Sequence, residues 1–88
     1  MPDARECAFD VLQKMERDGA YSTVALRSYF DKGNMSSQDI QLATALVFGV
    51  TERKITLDYV LSRHLKQPLK KLKPQVLTIM RIGAYQVL

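Results

Sequence analysis

The 88-residue chain is poor in the residues from which most active sites are built. It carries one cysteine and one histidine. A lone thiol excludes a disulfide framework and fits a reducing compartment, which makes the cytoplasm the expected location. Cys7 and His64 leave no ligand set for zinc or a softer transition metal. Cys7 falls on an apolar helical stripe with no basic activator, the setting of an inert packed thiol rather than a nucleophile. His64, one turn from Val60 and Leu61, reads as a residue that caps or packs its helix. The four glycines, at 19, 33, 49 and 83, are isolated, so no loop exists to cradle a phosphate. The carboxylates Asp10, Glu16 and Asp18 sit on polar helix faces with no neighbour that would perturb them. No run approaches the ~20 apolar residues of a membrane span, and the opening residues lack the apolar core of a signal peptide. Strand-type alternation, repeats and low-complexity tracts are missing as well. Catalytic, cofactor-binding and metal-binding residues are therefore not expected in this chain.

Negative charge is scarce in one half only. Met1 to Glu52 holds five Lys/Arg and eight Asp/Glu, a net of −3, whereas Arg53 to Leu88 holds eight basic residues against Asp58 alone, a net of +7; the two sum to the overall +4. Seven of the basic residues lie between Arg53 and Lys73: Arg53, Lys54, Arg63, Lys66, Lys70, Lys71 and Lys73. Such an asymmetry points to a polyanionic partner, bound through phosphate contacts and counterion release. A solvated basic face with no partner is the bland alternative. Aromatics for base stacking are few in this segment. Tyr59 is the only one, and its position suggests that it packs inward, which argues against stacking as the main mode.

The periodicity is helical throughout, and the length accommodates one domain, residues 1–88. Asp3 caps a first helix in a capping-box variant with Glu6, its apolar stripe runs through Ala4, Cys7, Ala8, Val11, Leu12 and Met15, and Gly19 ends it. A second helix covers about Ser22 to Asp31, with Val24, Ala25, Leu26, Tyr29 and Phe30 on its apolar face, and stops at Gly33-Asn34. Ser36-Ser37 opens a third, with Asp39 in its first turn. Leu42, Ala43, Ala45, Leu46, Val47, Phe48 and Val50 nearly encircle that helix, which predicts a central, enclosed element. Gly49 inside it costs about 1 kcal/mol relative to alanine, a cost that close approach of a neighbouring helix would offset. A bend at Thr51–Thr56 leads to a fourth helix through Ile55, Leu57, Val60, Leu61 and Leu65, stopped by Gln67-Pro68. Leu69 to Lys73 forms a basic connector with two apolar anchors. Pro74 then starts a fifth helix, apolar on most sides, that runs to the last residue. Its uncapped apolar ending suggests a fragment whose last helix meets further helices or a second copy of itself.

Several segments in order resemble one family. Ala4-Arg5-Glu6-Cys7-Ala8-Phe9-Asp10-Val11-Leu12 is similar to its opening helix and Gly19-Ala20-Tyr21-Ser22 to the loop that follows. Leu42 to Val50 is similar to its central helix, with Phe48 where tyrosine is common. Thr56-Leu57-Asp58-Tyr59-Val60-Leu61 and Leu77-Thr78-Ile79-Met80-Arg81-Ile82-Gly83-Ala84-Tyr85-Gln86-Val87-Leu88 complete the set. Together they resemble the N-terminal NusB-like domain of the RsmB/Sun/Fmu-type ribosomal RNA cytosine methyltransferases, across essentially the whole chain.

The resemblance implies an all-α, NusB-like antiparallel bundle of about five helices, truncated relative to the full domain. It also implies ribosomal RNA as partner, with S-adenosylmethionine and the catalytic cysteines housed in a methyltransferase domain in cis, outside this chain. Glu52 and Ile55 interrupt the basic run at the bend, which shifts weight from Arg53 and Lys54 onto Lys70, Lys71 and Lys73. Arg81 matches a family position and, within an apolar helix, suits a structural role such as binding a helix terminus. The expected function is to dock a small-subunit ribosomal RNA cytosine-C5 methyltransferase on its RNA. The alternatives are a scaffolding module that packs on the catalytic domain and a free-standing NusB-like antitermination factor.

Overall fold

Capping and packing resolve these patterns into five helices. The computed structural model describes residues 3–33 and 35–87. Helices α1 (Ala4–Asp18), α2 (Ser22–Phe30), α3 (Ser37–Glu52), α4 (Lys54–His64) and α5 (Pro74–Val87) follow in order, with a single 3-10 turn at Leu69–Lys71 between the last two. No strand occurs among the described residues. Asp3 caps α1 by accepting the Glu6 amide at 2.8 Å, and Ser36 caps α3 by accepting the Asp39 amide at 3.1 Å. Gly19 ends α1 in the left-handed conformation, φ 68°, its amide donating to the Met15 carbonyl.

The core forms where α1 meets α3, flanked by α2 and α5, while α4 closes against α5. It comprises Ala4, Cys7, Ala8, Val11 and Leu12 of α1, Ala25 and Leu26 of α2, Ala43, Leu46, Val47 and Val50 of α3, Leu57 of α4 and Ile82 of α5. Helices α1 and α5 run antiparallel. Arg5 near the start of α1 donates to Gln86 near the end of α5, at 3.1 Å, and Thr78 near the start of α5 donates to Gln13 further along α1, at 2.6 Å. The close approach expected at Gly49 is present: the Tyr85 ring of α5 lies against it, so that a Cβ at position 49 would fall 2.1 Å from the ring's Cζ.

The sequence pattern overstated burial on four helices. Helix α3 is enclosed on one side only, by Ala43, Leu46, Val47 and Val50 at i, i+3, i+4 and i+7, while Leu42, Ala45 and Phe48 face outward. Five short helices do not provide enough surface to surround one of their number. Val24 of α2 and Ile55 of α4 are exposed rather than part of an apolar face. On α5, Thr78, Arg81 and Ile82 are buried while Val76, Ile79 and Val87 remain exposed. Helix ends shift by one residue: α2 stops at Phe30 with Asp31 as its cap, and α4 stops at His64 because Leu65 turns to extended backbone. Asn34 and Leu88 lie outside the described residues.

Candidate nucleic-acid interface

Residues far apart in sequence converge where the end of α1, the start of α4, the Leu69–Lys71 turn and the first half of α5 meet. They line a groove of about 610 Å³ with Gln13, Glu16 and Arg17 from α1, Lys54 from α4, Leu69, Lys70 and Leu72 from the connector, and Pro74, Gln75, Leu77, Thr78 and Arg81 from α5. The anchors Leu69 and Leu72 are half-buried and turn the connector back against the bundle, which leaves Lys70, Lys71 and Lys73 exposed. Of the seven basic residues expected to contact RNA, the fold brings Lys54 and Lys70 into this one groove. Lys71 and Lys73 flank Lys70 on the same short connector, and Lys66 lies just before it. Among the described residues none of Lys66, Lys70, Lys71 and Lys73 forms an ion pair.

The other three are placed differently. Lys54 is engaged by Glu16, Nζ to Oε1 at 2.5 Å, with both side chains about half exposed. A pair this open is worth at most about 1 kcal/mol and can be exchanged for a phosphate. Arg53, although adjacent, lies 5.9 Å from the centroid of the Tyr85 ring. Arg63 lies 5.7 Å from the centroid of the Tyr59 ring and donates to the Tyr59 hydroxyl at 3.0 Å. Tyr59 is 60% exposed, so the inward packing expected of it is incorrect. One turn of helix separates it from Arg63, and the attraction of a guanidinium for a π-face holds the ring at the surface.

The groove rests on a partly buried ion pair. Arg81, its side chain 11% exposed, donates from Nε and Nη2 to the two Asp58 carboxylate oxygens at 2.7 and 2.8 Å, and its Nη1 lies 3.7 Å from Glu16. Its structural role is therefore to tie α5 to α4 and to the end of α1 through carboxylates, not to bind a helix terminus. A planar fork matched to a carboxylate satisfies both partners where a point charge would not. Thr78, buried beside it, is satisfied by Gln13.

Cys7 and Tyr29 do not line the groove. Cys7 is fully buried, and burial, reinforced by the Asp10 charge, pushes its thiol up to about 11, which suppresses thiolate at neutral pH. Desolvation, together with Asp10, raises the Tyr29 phenol to about 12; its hydroxyl donates to Asp10 Oδ2 at 3.2 Å. Asp18 is not the unperturbed carboxylate its polar setting suggested: hydrogen bonding to Arg17 holds it below its usual range. His64 is exposed in the last turn of α4. No group of three or more potential metal ligands gathers among the described residues.

Reading the chain alone, Arg17, Gln13, Glu16 and Gln75 gave no signal as groove residues. Three lie on α1, within the acidic half, and only the antiparallel docking of α1 on α5 carries them to the basic connector.

Residues 2–88 match the NusB family. Over 83 residues the chain is 37% identical to a probable ribosomal RNA small subunit methyltransferase B of Bacillus subtilis, with 94% of this chain and 18% of the relative covered. It is 33% identical over 87 residues to a probable ribosomal RNA small subunit methyltransferase B of Synechocystis, covering 99% of this chain and 20% of that one. A putative methyltransferase of Mycobacterium tuberculosis is 27% identical over 85 residues, covering 97% of this chain and 19% of that protein. The chain thus spans about a fifth of the length of the curated relatives it matches. No solved structure matches it.

Proposed function

The chain belongs to the NusB family, and from that premise we propose that it is the RNA-binding domain of a small-subunit ribosomal RNA cytosine-C5 methyltransferase, holding the enzyme on its RNA in the cytoplasm. The observation that carries this reading is the gathering of lysines at one groove: Lys70 unpaired at its edge, Lys71 and Lys73 beside it on the connector, Lys66 just before that connector, and Lys54 held by an exchangeable surface pair. Phosphates bind such side chains by charge and by release of condensed counterions, with little dependence on sequence. The exposed Tyr59, with Arg63 beside it, adds a face on which an unpaired base can stack. The similarity to the probable ribosomal RNA small subunit methyltransferases of Bacillus subtilis and Synechocystis supports the ribosomal RNA assignment. In this reading the methyl donor S-adenosylmethionine and the catalytic residues belong to the remainder of the enzyme, and this chain performs no chemistry.

Binding of a small-subunit ribosomal RNA fragment across a salt series tests the proposal. Changing Lys70, Lys71 and Lys73 together to glutamate should lower affinity for all RNA sequences alike. The salt dependence should flatten by about two to three contacts' worth of slope, close to one per lysine. Unchanged affinity in a variant with an unchanged circular dichroism spectrum would sink it.

A second reading, a protein-packing module, has one specific observation in its favour. Ile79, 59% exposed, shares with Phe9 and Ile82 an almost wholly apolar hollow between α1 and α5, and exposed apolar surface of this kind marks interfaces. The two readings are compatible, since one face can hold RNA while the other packs on a catalytic domain in cis or on a second copy. The free-standing antitermination factor is disfavoured by the similarity to probable and putative methyltransferases.

A further inference from the structure

Resting on the RNA-binding reading, we propose that the groove takes a single unpaired nucleotide, base inside and phosphate at the rim, and that Glu16 selects a base bearing an amino group. The order of chemistry from rim to floor carries this. Lys70 stands in solvent with no ion pair among the described residues, while Arg17, its side chain 72% exposed, is paired with Asp18 at 3.1 Å. Below them Glu16 is 49% exposed, and at the floor Arg81 is 11% exposed with its charge committed to Asp58. A phosphate gains more at the rim, where Lys70 is unpaired, than further in, where it would first have to displace Glu16 from Lys54 and meets an Arg81 already committed to Asp58, so a sugar-phosphate backbone is held at the edge. The wall contributed by Leu69, Leu72 and Leu77 offers a phosphate nothing, whereas the flat, poorly hydrated face of a base gains by covering it. The volume of about 610 Å³ falls within the roughly 300–1,000 Å³ typical of small-ligand sites.

Glu16 then decides which base. Lys54 and Arg81 both approach its Oε1, and Oε2 has no hydrogen-bond partner among the described residues. An ionised carboxylate only accepts, so it pairs with an N–H donor. The amino groups of cytosine, adenine and guanine supply one at the base edge. The sole edge donor of uracil, N3–H, lies between two carbonyl oxygens that a carboxylate repels. Duplex RNA is excluded because its base edges are already paired and its major groove is too narrow for side chains to read.

The test uses this chain and three fluorescent RNAs of equal length at fixed salt: oligocytidylate, oligouridylate and a perfect duplex. Oligocytidylate should bind about tenfold more tightly than oligouridylate, within the range for one well-made base contact, and more tightly than the duplex. In Glu16→Gln the preference for cytidine should fall to about twofold or less while binding itself persists or strengthens, since a negative charge has been removed. Gln75→Ala, an exposed position lining the same groove, should weaken oligocytidylate and leave the duplex unchanged, which provides a second route should Glu16→Gln misfold. A duplex bound as tightly as oligocytidylate, or a cytidine preference intact in both variants, overturns the inference while RNA binding stands. Failure of all three RNAs to bind overturns the RNA-binding reading itself, and this inference with it.

Discussion

Gly49→Ala should destabilise the chain, although alanine is the better helix former. The local preference alone favours the substitution by about 1 kcal/mol, because glycine loses more backbone entropy on entering a helix. The tertiary contact opposes it. A Cβ at this position would lie 2.1 Å from Tyr85 Cζ, 2.3 Å from its hydroxyl oxygen and 2.5 Å from Cε1. Ordinary contact begins at 3.4 Å, so the ring must retreat by about 1.3 Å, the difference between 3.4 and 2.1. Forced repacking of this kind costs about 1–3 kcal/mol and occasionally more. It would also move the ring away from Arg53. The net expectation is a loss of up to about 2 kcal/mol, equivalent to as much as roughly 16 °C in Tm for a domain of this size. Removing the ring should reverse the sign: in a Tyr85→Ala background, Gly49→Ala should stabilise, by up to about 1 kcal/mol, because only the helix preference remains. Urea titrations of the four proteins, followed by circular dichroism, give the double-mutant cycle. The same sign in both backgrounds, or a stabilising Gly49→Ala in the wild-type chain, would refute the packing argument.

Two further outcomes follow from the ion pair and from the phenol. Arg81→Met should cost about 2–4 kcal/mol, somewhat below the range for breaking a fully buried pair because Asp58 retains 30% exposure; Asp58→Leu added to it should recover part of that loss, and two independently additive penalties would refute the coupling. Tyr29, its folded phenol raised to about 12 against an unfolded value of about 10, contributes stability that is fully present below pH ~10 and is lost as pH rises toward 12, since the unfolded chain releases that proton first. Tyr29→Phe should flatten stability over that interval, and an alkaline profile unchanged by the substitution would show that the phenol titrates no differently in the fold.

The local determinants were readable in the sequence because each acts over a few residues. The caps at Asp3 and Ser36, the stop at Gly19, the break near Arg53, the start at Pro74 and the helical period of the core positions all rest on backbone chemistry within one turn. The cost of Gly49 could be read the same way, and it called for a neighbour without naming Tyr85. Charge asymmetry could be counted, and it drew attention to Lys70, Lys71 and Lys73. Tertiary structure alone decided which faces meet. Periodicity reports that a face is apolar but not whether another helix arrives to cover it, so Leu42, Phe48, Ile55 and Val24 looked buried and are not. A one-dimensional charge count cannot see that Glu16, from the acidic half, reaches across to Lys54, or that Arg81 is neutralised by Asp58. Coulombic partners are chosen by distance in space. The antiparallel docking of α1 on α5 sets that distance, and it turned a basic stretch of sequence into a groove with a cationic rim and a carboxylate within it.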